Sequence, residues 1–98
     1  MFVVRNVFNT KPGKAKDLVA IFKSVHPMLV EAGIAANGRI LTDASATFWT
    51  VVIETDVPDL GKYFEGLATM GNNQKLRDKM KGYMDLVTGG HREIWKVE

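Results

Sequence analysis

The chain has 98 residues, of which 46% are hydrophobic and 24% charged, a mixture typical of one globular domain and not of a disordered segment. Its net charge is only +2, and it contains no cysteine, which excludes disulfides, thiolate catalysis and cysteine metal sites. No apolar run approaches the roughly 18 residues of a membrane span, and the first residues lack the pattern of a signal peptide. We therefore expect one domain over residues 1–98, in the cytoplasm and without a membrane partner.

The basic residues do not form the stripe that nucleic-acid binding requires. The single basic cluster alternates along one segment, at Lys75, Arg77, Lys79 and Lys81, and Asp78 interrupts it. Side chains two residues apart on a helix do not share a face, so these lysines and arginines are typical of a solvated helix surface. We expect no nucleic-acid partner, and an RNA-recognition fold is disfavoured because its aromatic sheet motif is absent.

Residues 2–9 alternate between apolar and mixed positions and predict a first strand, with Phe2, Val4, Asn6 and Phe8 on one face. Asn6 interrupts the apolar side of this strand. A buried amide must find hydrogen-bond partners, so Asn6 either bonds to the backbone near the strand end or orients an oxygen atom of a bound molecule.

A first amphipathic helix follows, with Thr10 as a plausible N-cap and Gly33 as its stop. Its apolar stripe has the spacing of 3.6 residues per turn. Pro27 lies inside this helix, where it removes one backbone hydrogen bond, and we expect it to bend or interrupt the helix. His26 would then lie at the rim of any pocket between helix and sheet, although a partly buried structural histidine is the alternative.

The rest of the chain predicts a hairpin, a divided second helical region and a last strand. Asp56 and Pro58 are typical of a helix start, and a glycine and two asparagines interrupt the helix that follows. A third helical piece places Leu76, Met80 and Tyr83 on one face. The predicted strands span residues 39–42, 48–54 and 91–97, and Gly71–Asn73 and Gly89–Gly90 are the predicted helix ends.

This order is β-α-β-β-α-β, an α+β antiparallel sheet with helices on one face. We expect the helices to cover the side with Phe2, Val4, Phe8, Trp49, Val51, Ile53, Trp95 and Val97. The opposite side mixes apolar and charged residues, and a contiguous apolar patch of this size is unfavourable in water. A second copy of the chain would cover it, so the sequence predicts a homodimer through the sheet face that carries Arg5, Val7, Thr50 and Val52.

The segment Asn6-Val7-Phe8-Asn9-Thr10-Lys11-Pro12-Gly13-Lys14-Ala15-Lys16-Asp17-Leu18 resembles the strand-to-helix stretch of the dimeric α+β barrel superfamily. Its members include antibiotic-biosynthesis monooxygenases, haem-degrading monooxygenases and NIPSNAP-type proteins. Residues 89–97 resemble the closing strand of these proteins, and the order of elements matches over the whole chain. The resemblance implies a ferredoxin-like fold, two sheets packed face to face in a dimer, and a pocket between sheet and helices in each subunit.

The resemblance also implies which functions to consider. Haem-degrading relatives use a strand asparagine, which Asn6 matches, but also a tryptophan and a histidine on a helix, and the second helical region here has neither. What remains implied is a cofactor-independent monooxygenase-like enzyme acting on an aromatic or quinone-like substrate. The Pro12-Gly13 turn is also similar to that of amino-acid-binding ACT domains, so a non-catalytic ligand-binding or regulatory module is the alternative.

The expected site is a small-molecule pocket bounded by Asn6, His26, Trp49, Tyr63 and Tyr83. Apolar walls with a few convergent polar groups are what such sites require. The alternative is a packed core in which the same aromatic residues leave no room for a ligand. Trp49 in particular is more typical of a core residue than of a substrate platform. The two histidines lie far apart without carboxylates at ligand spacing, so we expect no metal site and no cofactor.

Overall fold

The computed structural model describes all residues, Met1–Glu98. The predicted α+β class and element order are confirmed, with the second helical region divided into three short helices. Four strands form one antiparallel sheet in the order β2-β3-β1-β4. The elements are β1 (Phe2–Thr10), α1 (Ala15–Glu31), β2 (Ala36–Thr42), β3 (Thr50–Val57), α2 (Leu60–Met70), α3 (Gln74–Met80), α4 (Tyr83–Leu86) and β4 (Val87–Lys96).

The register of the sheet decides which side chains meet the helices. In β1, Asn6 lies opposite Ile53 of β3 and Arg92 of β4, and directly opposed residues project to the same side. The helix-facing side carries Val4, Asn6, Phe8, Ile40, Val51, Ile53, Gly90, Arg92 and Ile94. The other side, here called the outer face, carries Val3, Arg5, Val7, Arg39, Leu41, Val52, Glu54, His91, Glu93 and Trp95.

The predicted orientation of β4 is therefore wrong. Trp95 was expected to face the helices and Arg92 the opposite side, but Trp95 pairs with Val3 on the outer face. Ile94 and Trp95 are adjacent apolar residues, so an alternating pattern fits this strand whether Ile94 or Trp95 faces the helices. Pairing with β1 selects the phase that turns Arg92 toward the helices.

Helix α1 differs from its prediction in two respects. Lys14 precedes it as the N-cap residue, whereas Thr10 belongs to β1 and donates its hydroxyl to the Trp49 carbonyl at 2.9 Å. The helix also runs through Pro27 without interruption. Pro27 and Lys23, whose carbonyl loses its backbone partner, are both exposed, so this carbonyl is open to hydrogen bonding by solvent.

The later helices begin and end at only some of the predicted residues. The break at Gly71–Asn73 is confirmed, and Asp59, not Asp56, caps α2 by accepting the Lys62 N–H. The pair Gly89–Gly90 lies inside β4 and does not end a helix. At Gly90 an added Cβ would collide with the Val7 carbonyl oxygen, so this glycine permits close strand pairing.

The apolar interior consists of two clusters beneath the sheet. One cluster contains Val4, Val57 and Tyr63, and the other contains Leu18 and Val51. The shortest dimension of the molecule is 18 Å, which accommodates the sheet and a single layer of helices about 10 Å thick. The outer face therefore has no helical cover. No helix has the length and apolar character needed to cross a membrane.

Candidate functional site

A cavity of about 400 Å³ lies between the helix-facing side of the sheet and the helices, and is called here the central cavity. Eleven of its fifteen lining residues are hydrophobic. Its volume and composition are typical of small-molecule pockets, which range from roughly 300 to 1,000 Å³. The lining residues that can hydrogen-bond through side chains are Asn6, His26, Tyr63, Tyr83 and Arg92.

Two polar residues on neighbouring strands line the sheet side of the cavity. Arg92 Nε donates a hydrogen bond of 2.7 Å to Asn6 Oδ1. This bond satisfies the amide oxygen that interrupts the apolar side of β1. The Asn6 Nδ2 group makes no side-chain hydrogen bond within the protein, so it remains a free donor.

Two aromatic rings of α2 lie under the same guanidinium. The Arg92 Cζ atom is 5.9 Å from the ring centroid of Tyr63 and 5.6 Å from that of Phe64, within the range of cation–π attraction. Tyr63 is 97% buried, and its hydroxyl makes no hydrogen bond within the protein. Every polar side-chain atom that is fully buried in this protein does have a hydrogen-bond partner. The Tyr63 hydroxyl is therefore accessible, at a residue that lines the cavity.

His26 reaches the cavity from α1 and is half-buried. Its ring occupies the space that a side chain at position 38 of β2 would need, since a Cβ added to Gly38 would overlap the imidazole. The glycine thus allows the histidine to lie close against the sheet. His26 lies beside the pocket as expected, although α1 is continuous through Pro27 and has no break there.

The structure brings together four of the five predicted pocket residues, and Trp49 is the exception. Trp49 precedes β3 with a left-handed φ of 60°, and its carbonyl accepts the Thr10 N–H at 2.8 Å in addition to the Thr10 hydroxyl. Because of this left-handed residue, the regular alternation of β3 begins only at Thr50. It is 43% exposed and does not line the central cavity.

Trp49 instead lines a hollow of about 780 Å³ near the start of α1, with Phe48, which is 82% exposed. The hollow is larger than the central cavity but broad and open to solvent. One of its few polar groups, the Asp43 carboxylate, is already bonded to the Thr50 N–H at 2.9 Å. We therefore place the candidate site in the central cavity, where uncommitted polar groups converge.

The outer face carries a row of alternating charges across all four strands. Glu54 accepts hydrogen bonds from Arg5 at 2.8 Å and from Arg39 at 2.8 Å, and Arg5 also reaches Glu93 at 3.5 Å. These bonds, that of Arg5 first and that of Arg39 second, hold the pKa of Glu54 below its usual value. Hydrogen bonds from His91 and Trp95 lower the pKa of Glu93 in the same way.

Arg92 is the lining residue that the sequence reasoning missed, because the opposite phase of β4 placed it on the outer face. One signal could have fixed that phase. The Trp95 indole N–H needs an acceptor, and Glu93, two residues away on the same side of a strand, provides one at 3.0 Å. That pairing places Trp95 and Glu93 on a polar face and turns Arg92 inward.

Comparison with known proteins adds a fold assignment. No protein-family model matches the sequence, and no curated protein matches it. Among solved structures, a NIPSNAP family protein of Agrobacterium tumefaciens superposes with a TM-score of 0.82 at 12% identity, covering 99% of this chain and 92% of the other. A NIPSNAP domain protein of Burkholderia xenovorans gives a TM-score of 0.80 at 14% identity, covering 100% and 95%.

An antibiotic biosynthesis monooxygenase superposes with a TM-score of 0.73 at 10% identity, covering 100% of this chain and 99% of the other. The chain shares the fold of these NIPSNAP and antibiotic biosynthesis monooxygenase structures. This is a ferredoxin-like α+β fold, as the resemblance of the sequence implied. At these identities the NIPSNAP-like fold is shared and says nothing about shared chemistry.

Proposed function

We propose that this NIPSNAP-like protein is a homodimeric small-molecule-binding protein whose ligand, an aromatic or quinone-like compound, occupies the central cavity. The observation that carries the proposal is the convergence of Asn6, His26, Tyr63 and Arg92 on one cavity with otherwise apolar walls. Phe8 and Phe22, whose ring centroids are 5.1 Å apart, add an aromatic wall suited to a planar ligand.

A monooxygenase-like activity is the catalytic form of this proposal. Oxidation of a phenol by dioxygen to a quinone and one water is balanced without another reductant, so the protein would need only to bind and deprotonate the phenol. His26 would act as the base, because it carries the only imidazole that lines the cavity. Asn6 would hold the substrate oxygen with its free Nδ2 donor.

Binding without catalysis is the second candidate. The observation in its favour is that His26 has no carboxylate partner to orient its ring, whereas bases in catalytic sites usually have one. In this case the protein would bind and carry the same class of compound, or respond to it as an ACT-like regulatory module does, through the dimer.

The test is a thermal-shift screen of phenols, hydroquinones and quinones against the protein and two matched variants. Met80 lines the cavity, and Met84 is 69% exposed outside it. Met80→Trp should fill the cavity and abolish stabilisation by every hit, whereas Met84→Trp should leave each shift unchanged. Hits that stabilise both variants equally would show that the cavity is not the site.

Dioxygen uptake with each hit then separates the two candidates. Catalysis predicts uptake in equal molar amounts to quinone formed, and loss of that uptake in His26→Gln with ligand binding retained. Binding alone predicts no uptake by the protein with any compound that stabilises it.

The homodimer belongs to the same proposal. The outer face combines exposed apolar side chains, including Trp95 at 57% and Leu41 at 38%, with the alternating charge row described above. A second copy related by a twofold axis would cover the apolar residues and offer charges of both signs to the row. The bare outer face supports this assembly.

A further inference from the structure

We propose that the ligand of the central cavity is an anion, an aromatic carboxylate or comparable oxyanion, whose charged oxygens are bound by Arg92. This inference rests on the proposed function and specifies its ligand class. Arg92 is the only Lys, Arg, Asp or Glu residue among the fifteen that line the cavity. The cavity therefore carries a permanent positive charge and no negative charge to offset it.

The other arginines of the sheet show what is unusual about Arg92. Arg5 and Arg39 are both paired with Glu54 at 2.8 Å, but no carboxylate lies within ion-pair distance of Arg92. Its contacts are one neutral amide oxygen and two aromatic faces. The two terminal nitrogens of the guanidinium make no protein hydrogen bond, so the side that binds carboxylates in a bidentate manner is free.

Asn6 is the positioning residue for this cation. Its Oδ1 accepts a hydrogen bond from Arg92 Nε and so holds the guanidinium in place. Because the amide is neutral, it leaves the positive charge intact, whereas an aspartate at the same position would neutralise it. The aromatic rings of Tyr63 and Phe64 lie within cation–π range of the same group and help to hold it in place. Arg92 itself is exposed at the mouth of the cavity, so an incoming anion meets the charge before it enters.

The experiment compares two probes of the same shape, 2-naphthoate and 2-naphthamide, by isothermal titration calorimetry at neutral pH. A charge-assisted bidentate contact should give the carboxylate about tenfold higher affinity than the amide. Arg92→Gln should reduce that ratio to near one with little change for the amide, and Arg92→Lys should keep part of it because the charge remains. Arg77→Gln, on the surface of α3, is the matched control and should keep the full ratio.

Asn6 is tested by the same ratio. Asn6→Ala should lower the ratio while Arg92 is intact, and Asn6→Gln, which can restore the acceptor, should recover part of it. If Asn6 had a purely structural role, Asn6→Ala would weaken the binding of both probes equally and leave the ratio of their affinities unchanged. That result would overturn its positioning role.

The outcomes distinguish this inference from the function on which it rests. Equal affinity for the two probes, or a ratio that persists in Arg92→Gln, overturns the anion assignment while the cavity remains a ligand site. Failure of both probes and of every screened compound to bind, or binding that survives Met80→Trp, overturns the proposed function as well.

Discussion

Gly38 is the residue on which the position of His26 depends. A Cβ at this glycine would overlap the imidazole ring. We predict that Gly38→Ala forces His26 into another rotamer and lowers the free energy of unfolding by about 1 kcal/mol, the usual scale of a strained side chain. Urea unfolding measures this change, and ligand affinity should fall with it because the ring has left its place at the cavity.

Gly89→Ala is the matched control for that substitution. Gly89 also lies in an edge strand, but a Cβ there meets nothing within 4 Å. It should be neutral or stabilise the protein by up to about 1 kcal/mol. In a His26→Ala background Gly38→Ala should become neutral too, and a loss that persists there would contradict the account.

At this scale the sequence could single out Asn6, which interrupts the apolar side of β1, and His26, which lies four residues after Phe22 at the edge of the apolar stripe of α1. It could not place Trp49, whose backbone is left-handed and whose carbonyl accepts two hydrogen bonds from Thr10 of β1. Such a long-range constraint leaves no trace in the local alternation of residues 48–54.

At the scale of the element, the charge row ties the four strands together across the outer face. Glu54 keeps a lowered pKa in the folded protein because Arg5 and Arg39 bond to its ionised form. In the unfolded chain the carboxyl protonates near its ordinary value of 4.5. The stabilisation is therefore complete above about pH 4.5 and is lost as the pH falls through the lower folded value.

We predict that Glu54→Gln destabilises the protein at neutral pH and makes its unfolding free energy less dependent on pH below about 4.5. Chemical unfolding at a series of pH values measures both effects. Glu65→Gln, on α2 and without an ion pair, should leave the dependence unchanged. A pH profile of Glu54→Gln that parallels the unmodified protein would refute the role of the row.

The elements themselves were largely predictable, because apolar periodicity and capping residues mark strands and helices locally. The phase of β4 was not, since Ile94 and Trp95 are neighbours and only pairing with β1 chooses between them. The glycines before them illustrate the same limit. Gly89–Gly90 has the composition of a helix stop, but Gly90 serves contact with the Val7 backbone.

At the scale of the whole molecule, the prediction concerns assembly. We expect sedimentation equilibrium to give about twice the 10.9 kDa mass of one chain. Trp95→Lys should weaken the dimer by about 2 kcal/mol, as loss of a large aromatic contact at an interface usually does. Trp95 is already exposed in the single subunit, so the fold of each chain should survive.

Val30→Lys is the control, since Val30 is an exposed hydrophobic residue on α1, away from the outer face. It should leave the mass unchanged. A single-chain mass for the unmodified protein, or equal weakening by both substitutions, would count against the dimer.

The central cavity also divides the apolar interior. Tyr63 and Met70 on one side of it belong to one cluster, and Phe22 on the other side belongs to the second. A ligand in the cavity touches both and would join them into one continuous core, burying apolar surface that the empty protein leaves uncovered. The compound would then be part of the folding unit: the occupied protein should melt in a sharper transition, with a larger heat-capacity increase, than the empty one.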